Sequence, residues 1–478
     1  MTIPVRPPKP QWTELVFRLL PFADAASVDL PLPRLLRLSL FQVSVGMAMV
    51  LLNGTLNRVM VVELGTPTWL VALLIAVPLL VAPFRAVIGH KSDTHRSVLG
   101  WRRVPYIWFG TLMQFGGLAI MPFALLLLSK PEAFNIGLAG AAFAFLLTGT
   151  GVHVTQTAGL ALATDLAPED KRPRAVALLY VMLLVGMMFA AFVIGGLLSD
   201  YSATKLVQVI QGTAVLTIVL NVTALWKQEA RNRAITAPDR ETPNFSVLWH
   251  AFVKDGSNAR LLTAIGIGAA AFAMQDALLE PYGGEILGLS VGATTGLTGA
   301  WALGSLIGFM ASGRMLARGW DPLRLAGAGL VIGINAFLMV LFAGPFGSAQ
   351  MLYAGAMTIG LGLGLFSVGT LMEAMAIAKT ETAGLALGAW GAVQASCAGT
   401  GIAIGGLLRD GVAAWLGSGE AVSIATRASG YSAVYILEIT LLLIGLAAIG
   451  PLVGNQRRGT DAADDPLNQP FGLREFPT

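Results

Sequence analysis

The chain has 478 residues, of which 55% are hydrophobic and 12% are charged. A soluble globular domain carries about 25% charged residues, so this composition excludes an ordinary soluble fold and predicts a membrane protein. The net charge of +4 is small for this length and does not indicate nucleic-acid binding. The single cysteine, Cys397, excludes an internal disulfide and offers no cysteine framework for a metal.

The N-terminal segment, residues 1–33, is proline-rich and lacks the compact apolar core of a signal peptide. It carries an apolar stripe at helical spacing, which predicts a helix lying on the cytoplasmic membrane surface. A disordered tail is the open alternative. The stripe consists of Trp12, Leu15, Val16 and Leu19.

Twelve apolar runs follow, six within residues 34–226 and six within residues 260–453. Runs of this length are typical of transmembrane helices, so we predict an all-α integral membrane protein with two six-helix bundles. The polar linker 227–259 and the tail 454–478 complete the chain. With both termini, the linker and the tail in the cytoplasm, most of the 31 lysines and arginines lie on the cytoplasmic side. Basic residues in the linker predict attraction to anionic lipids.

A short motif occurs once in each half of the chain. Residues 194–200 read IGGLLSD and residues 404–410 read IGGLLRD. Both copies lie at the end of the fifth apolar run of their half, which indicates an internal duplication. Two six-helix units in parallel repeat are the architecture of the major facilitators, and we therefore predict that fold.

The loop after the second run resembles the conserved loop of the major facilitators. Gly89 is followed four residues later by Asp93, with Arg96, Arg102 and Arg103 beyond. The resemblance implies a cytoplasmic latch in which the aspartate meets a helix N-terminus and basic side chains. The alternative is a loop that is basic for topology alone.

Charged side chains within the predicted spans are few, and such groups are costly in a membrane. They are Arg58, Asp276, Glu280, Glu373 and Glu438. Asp276 and Glu280 are four residues apart, which places them on one helix face. Helices 1 and 7 occupy equivalent positions in the two repeats and face each other in this architecture. We predict that Arg58 pairs with Asp276 or Glu280, the alternative being that each charge snorkels to the interface separately.

His153 is the one histidine, of four in the chain, that lies within a predicted span. A neutral imidazole can ligate the magnesium at the centre of a tetrapyrrole, and Gly149 and Gly151 are expected to leave room for a flat macrocycle. Gln156 is a second candidate ligand for such a pigment. The alternative for this histidine is a hydrogen bond between helices.

Signatures of soluble enzymes are missing from the sequence. It contains no phosphate-binding Walker loop, no Gly-x-Ser-x-Gly elbow and no His-Glu-x-x-His motif. Asp165 and Asp170 flank a cytoplasmic loop that contains Pro168 and is followed by the basic run 171–174, which indicates a connector between helices and not a diphosphate–magnesium site. We therefore expect no enzymatic activity.

From about residue 30 to residue 453 the chain resembles the PucC/LhaA family, a bacteriochlorophyll-delivery branch of the major facilitators in phototrophic bacteria. The segments that carry the resemblance are 89–93 (GHKSD), 100–106 (GWRRVPY), 276–284 (DALLEPYGG), 388–394 (GAWGAVQ) and 405–410 (GGLLRD). The segments from helices 7 and 11 are not general facilitator motifs, so the likeness is specific.

The resemblance implies an antenna assembly factor of the bacterial inner, intracytoplasmic membrane. Such a protein would bind bacteriochlorophyll and deliver it to newly inserted light-harvesting polypeptides. The implied partners are the light-harvesting 1 α and β polypeptides, and bacteriochlorophyll and its synthase. Whether the chain forms a homo-oligomer is left open by the sequence. The length and extended N-terminus are closer to the light-harvesting 1 members of the family. A proton-coupled transporter of a small solute and a pigment-free scaffold remain open alternatives.

Overall fold

The structure is a computed structural model that describes most of both halves of the chain. The described residues are 25–27, 30–80, 88, 92, 100–168, 171–230, 256–377, 383–416 and 424–455. The predicted surface helix at residues 11–20, most of the linker and the C-terminal tail lie outside these ranges.

The long elements of the described chain are all helices. Those of the first half are α1 (Leu32–Glu63), α2 (Thr68–Leu80), α3 (Val104–Leu128), α4 (Phe134–Leu166), α5 (Arg172–Leu197) and α6 (Ala203–Leu225). Those of the second half are α7 (Gly256–Glu285, with a break at Gln275–Ala277), α8 (Val291–Ala317), α9 (Pro322–Ala343), α10 (Ala349–Ile377), α11 (Ala383–Leu416) and α12 (Ile424–Asn455). The prediction of an all-α fold is confirmed.

Ten of these helices are long and apolar enough to cross a membrane. The other two are α2, described over 13 residues, and α8, which is 27 residues long but rich in glycine, serine and threonine. A multi-pass membrane protein is thereby confirmed, with ten of the twelve predicted spans supported by length and composition.

Helices within the first half are joined by buried polar side chains. The Ser44 hydroxyl on α1 donates to Asn221 Oδ1 on α6 at 2.6 Å, and Asn221 Nδ2 donates to Thr111 on α3 at 2.8 Å. Gln114 on α3 donates to Thr155 on α4 at 2.8 Å. Such hydrogen bonds hold membrane helices together because lipid tails supply no hydrophobic force between them.

Because the helices alternate in direction, the bundle has two ends. We call the end where α1 begins and α12 ends the termini end, and the other the distal end. The termini end is the one predicted to face the cytoplasm. The two halves contact each other through α2 with α11, α5 with α8, and α1 with α7.

Candidate functional site

The two helices that face each other at the centre of the bundle, α1 and α7, are both irregular. Helix α1 widens into π-helical turns at Val50–Thr55 and Val59–Glu63. Helix α7 tightens into a 3-10 turn at Gln275–Ala277. Irregular turns inside membrane helices frequently mark functional sites, because they free backbone groups for other contacts. We call this region, where α1 meets α7 and the start of α8, the central seam.

Three hydrogen bonds cross the central seam from α1 to the second half. Thr55 and Thr295 hydroxyls lie 3.1 Å apart, and Asn57 Nδ2 donates to the backbone oxygen of Asp276 at 3.2 Å. Arg58 Nη2 donates to the Leu289 carbonyl at 3.2 Å. These side chains on α1 are all buried, so the seam is polar but closed to water in this conformation.

The predicted ion pair between Arg58 and Asp276 or Glu280 is wrong. Arg58 forms its salt bridge with Glu63 on its own helix. Asp276 accepts a hydrogen bond from Gln275, and Glu280 accepts one from Thr298 at 2.5 Å. The reason lies in the helix geometry, since π-helical turns bring residues five apart onto one face. That spacing gives Arg58 a carboxylate within its own helix.

At the distal end the repeated motif forms two close contacts between the halves. A Cβ atom at Gly195 on α5 would lie 2.9 Å from the backbone oxygen of Gly292 on α8. A Cβ atom at Gly406 on α11 would lie 3.0 Å from Cα of Trp69 on α2. The two copies use different glycines for this packing, because Gly195 aligns with Gly405 in the motif and Gly406 aligns with Gly196.

The aspartates that end the two motif copies differ in their surroundings. Asp410 Oδ2 accepts a hydrogen bond from the backbone N–H of Trp69 at 2.7 Å and so caps α2 from the other half. Asp200 is largely exposed and lies 3.9 Å from Lys205. Next to Asp410, the buried Arg409 binds Glu285 of α7. This charged group holds α2, α7 and α11 together.

At the termini end, Arg102 and Arg103 bind Asp165 at the end of α4, at 2.5 and 3.0 Å. Arg103 also donates to Ser92, which precedes α3 in the chain, at 2.6 Å. The predicted latch residues Gly89, Asp93 and Arg96 lie outside the described residues. The basic pair of the predicted latch thus contacts a carboxylate within its own half.

The N-terminus of α3 is capped by Glu229, from the first residues of the linker. Its carboxylate accepts hydrogen bonds from the backbone N–H groups of Arg102, Arg103 and Val104 at 2.7 to 3.1 Å. A carboxylate at this position also interacts favourably with the helix dipole. Glu229 is one of four acidic residues in the linker 227–259, so the sequence does not mark it as a helix cap.

The two candidate pigment ligands lie one turn apart on α4. Gln156 is buried and donates to Gln42 Oε1 of α1 at 3.4 Å. This hydrogen bond links α4 to α1. His153 is half-buried. No group of three or more His, Cys, Asp or Glu side chains that would hold a metal ion occurs among the described residues. A tetrapyrrole magnesium needs only one such ligand, so this finding does not bear on His153 as a pigment ligand.

The glycines beside His153 do not form a cradle for a macrocycle. A Cβ atom at Gly149 would overlap Pro78 of α2, and one at Gly151 would lie 2.6 Å from the backbone oxygen of Gly110 on α3. The expectation that these glycines leave room for a pigment is wrong, because neighbouring helices fill the space.

The fold and its central seam define a two-repeat membrane protein of the major facilitator type. A solved structure with this fold is a bacterial homologue of the human lysosomal transporter Spinster, with a TM-score of 0.63 and 15% identity. The match covers 87% of this chain and 95% of that one. At this identity the likeness concerns the fold alone.

The family follows from the sequence comparisons. The family model described as PUCC protein matches residues 55–457, and the chain belongs to this family. Protein PucC of Rhodovulum sulfidophilum is 56% identical, over 83% of this chain and 89% of that protein. An uncharacterized protein from the puhA-bchM intergenic region of Rhodobacter capsulatus is 53% identical, over 97% of this chain and 98% of that protein.

Proposed function

We propose that this protein is an assembly factor for the photosynthetic antenna. It binds bacteriochlorophyll and delivers it to newly inserted light-harvesting polypeptides. The observation that carries this proposal is membership of the PUCC family along most of the chain. That membership supports a role in the assembly of photosynthetic complexes, and the delivery of pigment is the step that we add.

The protein acts in this proposal as a carrier and not as an enzyme. His153 offers an imidazole nitrogen to the magnesium of bacteriochlorophyll, which supplies light absorption when bound. The light-harvesting 1 α and β polypeptides and the pigment synthase are the proposed partners, and anionic lipids attract the basic linker. A free chlorin in the bilayer is photochemically hazardous, which is why a dedicated holder is useful.

We expect the protein, purified gently from pigment-replete membranes, to carry bacteriochlorophyll and light-harvesting 1 polypeptides. The absorption spectrum reports the pigment, and mass spectrometry reports the polypeptides. Deletion of the gene is expected to lower the amount of assembled antenna while the pigment-synthesis enzymes persist. A colourless protein without antenna polypeptides would overturn the proposal and favour transport of a small solute.

The His153→Phe variant tests the proposed ligand. Phenylalanine fills similar space but cannot coordinate magnesium, so we expect the pigment content per protein to fall severalfold with normal protein yield. His250→Phe, in the polar linker, is the matched control and is expected to keep its pigment. Unchanged pigment in His153→Phe would exclude this residue as the ligand.

The proposed orientation places the termini end in the cytoplasm of a bacterial inner membrane. Reporter fusions at Gly256 and at the C-terminus are expected to give a cytoplasmic signal, because the basic residues cluster at that end. A fusion after Lys130, in the loop between α3 and α4, is expected to give a periplasmic signal. The reverse pattern would invert the topology.

A further inference from the structure

Glu280 is a buried carboxylate in the central seam with one oxygen unoccupied. The residue is 3% exposed. Its Oε1 accepts the hydroxyl of Thr298 on α8 at 2.5 Å, whereas Oε2 has no hydrogen-bond partner. A charged carboxylate without a partner is strongly disfavoured in such surroundings, so this geometry calls for a cation on the second oxygen.

The same carboxylate lies against the other half of the protein. A Cβ atom at Gly54 on α1 would overlap Glu280 Oε1, so only glycine there lets the carboxyl group reach the backbone of α1. Arg58, one turn further along α1, is committed to Glu63 and to the Leu289 carbonyl. Arg58 Nε has no hydrogen-bond partner among the described residues, and the charge of Arg58 attracts Glu280, but the two side chains form no salt bridge with each other.

The groups around Glu280 favour a proton over a metal ion. A sodium or divalent ion needs several oxygen ligands, whereas the hydrogen bond that Glu280 accepts comes from one hydroxyl, that of Thr298. The described part of the chain also holds no cluster of carboxylates and histidines suited to a metal. Several elements that pack against this stretch of α7 carry titratable or charged side chains. They are Arg58 and Glu63 on α1, Tyr353 on α10, Arg409 and Asp410 on α11, and Tyr431, Tyr435 and Glu438 on α12, with Asp276, Tyr282 and Glu285 on α7 itself.

We propose that Glu280 is a proton-binding site that couples protonation to closure of the distal end between the two halves. A proton from water binds Oε2 and gives a neutral carboxyl group that packs against Gly54 in the closed seam. Loss of the proton leaves a buried charge that Arg58 and Thr298 compensate only in part, because the effect of burial is larger. The ionised form therefore favours a conformation in which water enters between α1 and α7. This inference is independent of pigment binding.

Spin-label distances test the coupling in the full-length protein in lipid nanodiscs. Labels are placed at Ala203→Cys and Phe346→Cys, exposed distal positions on opposite halves, in a Cys397→Ala background. We expect the short distance at low pH and a growing population at longer distance as pH rises. For a single proton the ratio of the two populations changes by up to about tenfold per pH unit.

Two variants identify the group responsible. Glu280→Gln mimics the neutral carboxyl and is expected to stay at the short distance at every pH. Glu132→Gln, the same substitution at an exposed distal glutamate, is expected to titrate like the parent. A parent distance that does not change with pH, or equal behaviour of the two variants, would overturn the proposal. Closure that depends on added sodium and not on pH would also overturn it.

Chemical labelling tests the proton site in the parent protein, without any substitution. Dicyclohexylcarbodiimide adds to protonated carboxyl groups in apolar surroundings, and mass spectrometry of the parent protein is expected to place the adduct on Glu280. Labelling is expected to fall as pH rises. The absence of an adduct at any pH would count against the proton site. None of these measurements involves pigment or antenna, so their failure is distinguishable from failure of the proposed assembly function.

Discussion

Replacing Gly304 with valine is expected to prevent the second half of the protein from folding. Gly304 on α8 and Gly360 on α10 form a reciprocal contact in which each backbone touches the other helix. A Cβ atom at Gly304 would overlap the Met357 carbonyl, and one at Gly360 would overlap the Trp301 carbonyl. No rotamer change relieves a clash with backbone, so the two helices must separate. Overpacking of this kind lowers the free energy of unfolding by about 1–3 kcal/mol, and by more where the clash involves the backbone.

The measurement is the yield of monodisperse protein on size-exclusion chromatography after detergent extraction. Gly212→Val on α6 is the matched control, because a Cβ atom at this position has no atom within 4 Å. The control is expected to give parental yield, whereas Gly304→Val is expected to aggregate or to be degraded. Equal yields would mean that α8 and α10 do not pack as closely as described.

The helices and the duplication were predictable because they depend on long apolar runs and a repeated motif. The shared IGGLL segment indicates the duplication, but Gly195 and Gly406 occupy different positions within it, so the glycine that contacts the other half was not predictable from the motif. The different roles of Asp200 and Asp410 are also marked in the sequence, since Ser199 precedes the first and Arg409 the second. Only the arginine can bind Glu285 and hold its neighbouring aspartate in place.

The partners of buried charges were less predictable, because they depend on local helix geometry. Regular α-helical spacing does not bring Arg58 directly over Glu63, and the π-helical turns that do so have no clear sequence signal. Glycines raise a similar difficulty. Gly149 and Gly151 are equally compatible with a ligand pocket or with close helix packing, and only the positions of α2 and α3 decide between them.

Replacing Arg409 with methionine is expected to destabilise the distal end strongly. Arg409 is 8% exposed, binds Glu285 and Asp410, and lies 4.6 Å from the ring centroid of Tyr431. Methionine retains much of the side-chain volume but leaves the carboxylate of Glu285 buried without a cation. Removing one partner of a buried pair typically costs about 3–5 kcal/mol. We expect a lower midpoint of thermal unfolding in detergent and faster proteolysis of the loops at the distal end.

A double-mutant cycle separates the lost pairing from lost packing. Glu285→Gln combined with Arg409→Met removes the stranded charge, so the double variant is expected to be more stable than Arg409→Met alone. Arg427→Met, on the exposed face at the start of α12, is the control and is expected to melt like the parent. The double variant also loses the arginine that steadies Asp410, which caps α2 across the halves, so its recovery is expected to be incomplete. Strictly additive effects of the two substitutions would show that Arg409 and Glu285 stabilise the protein independently.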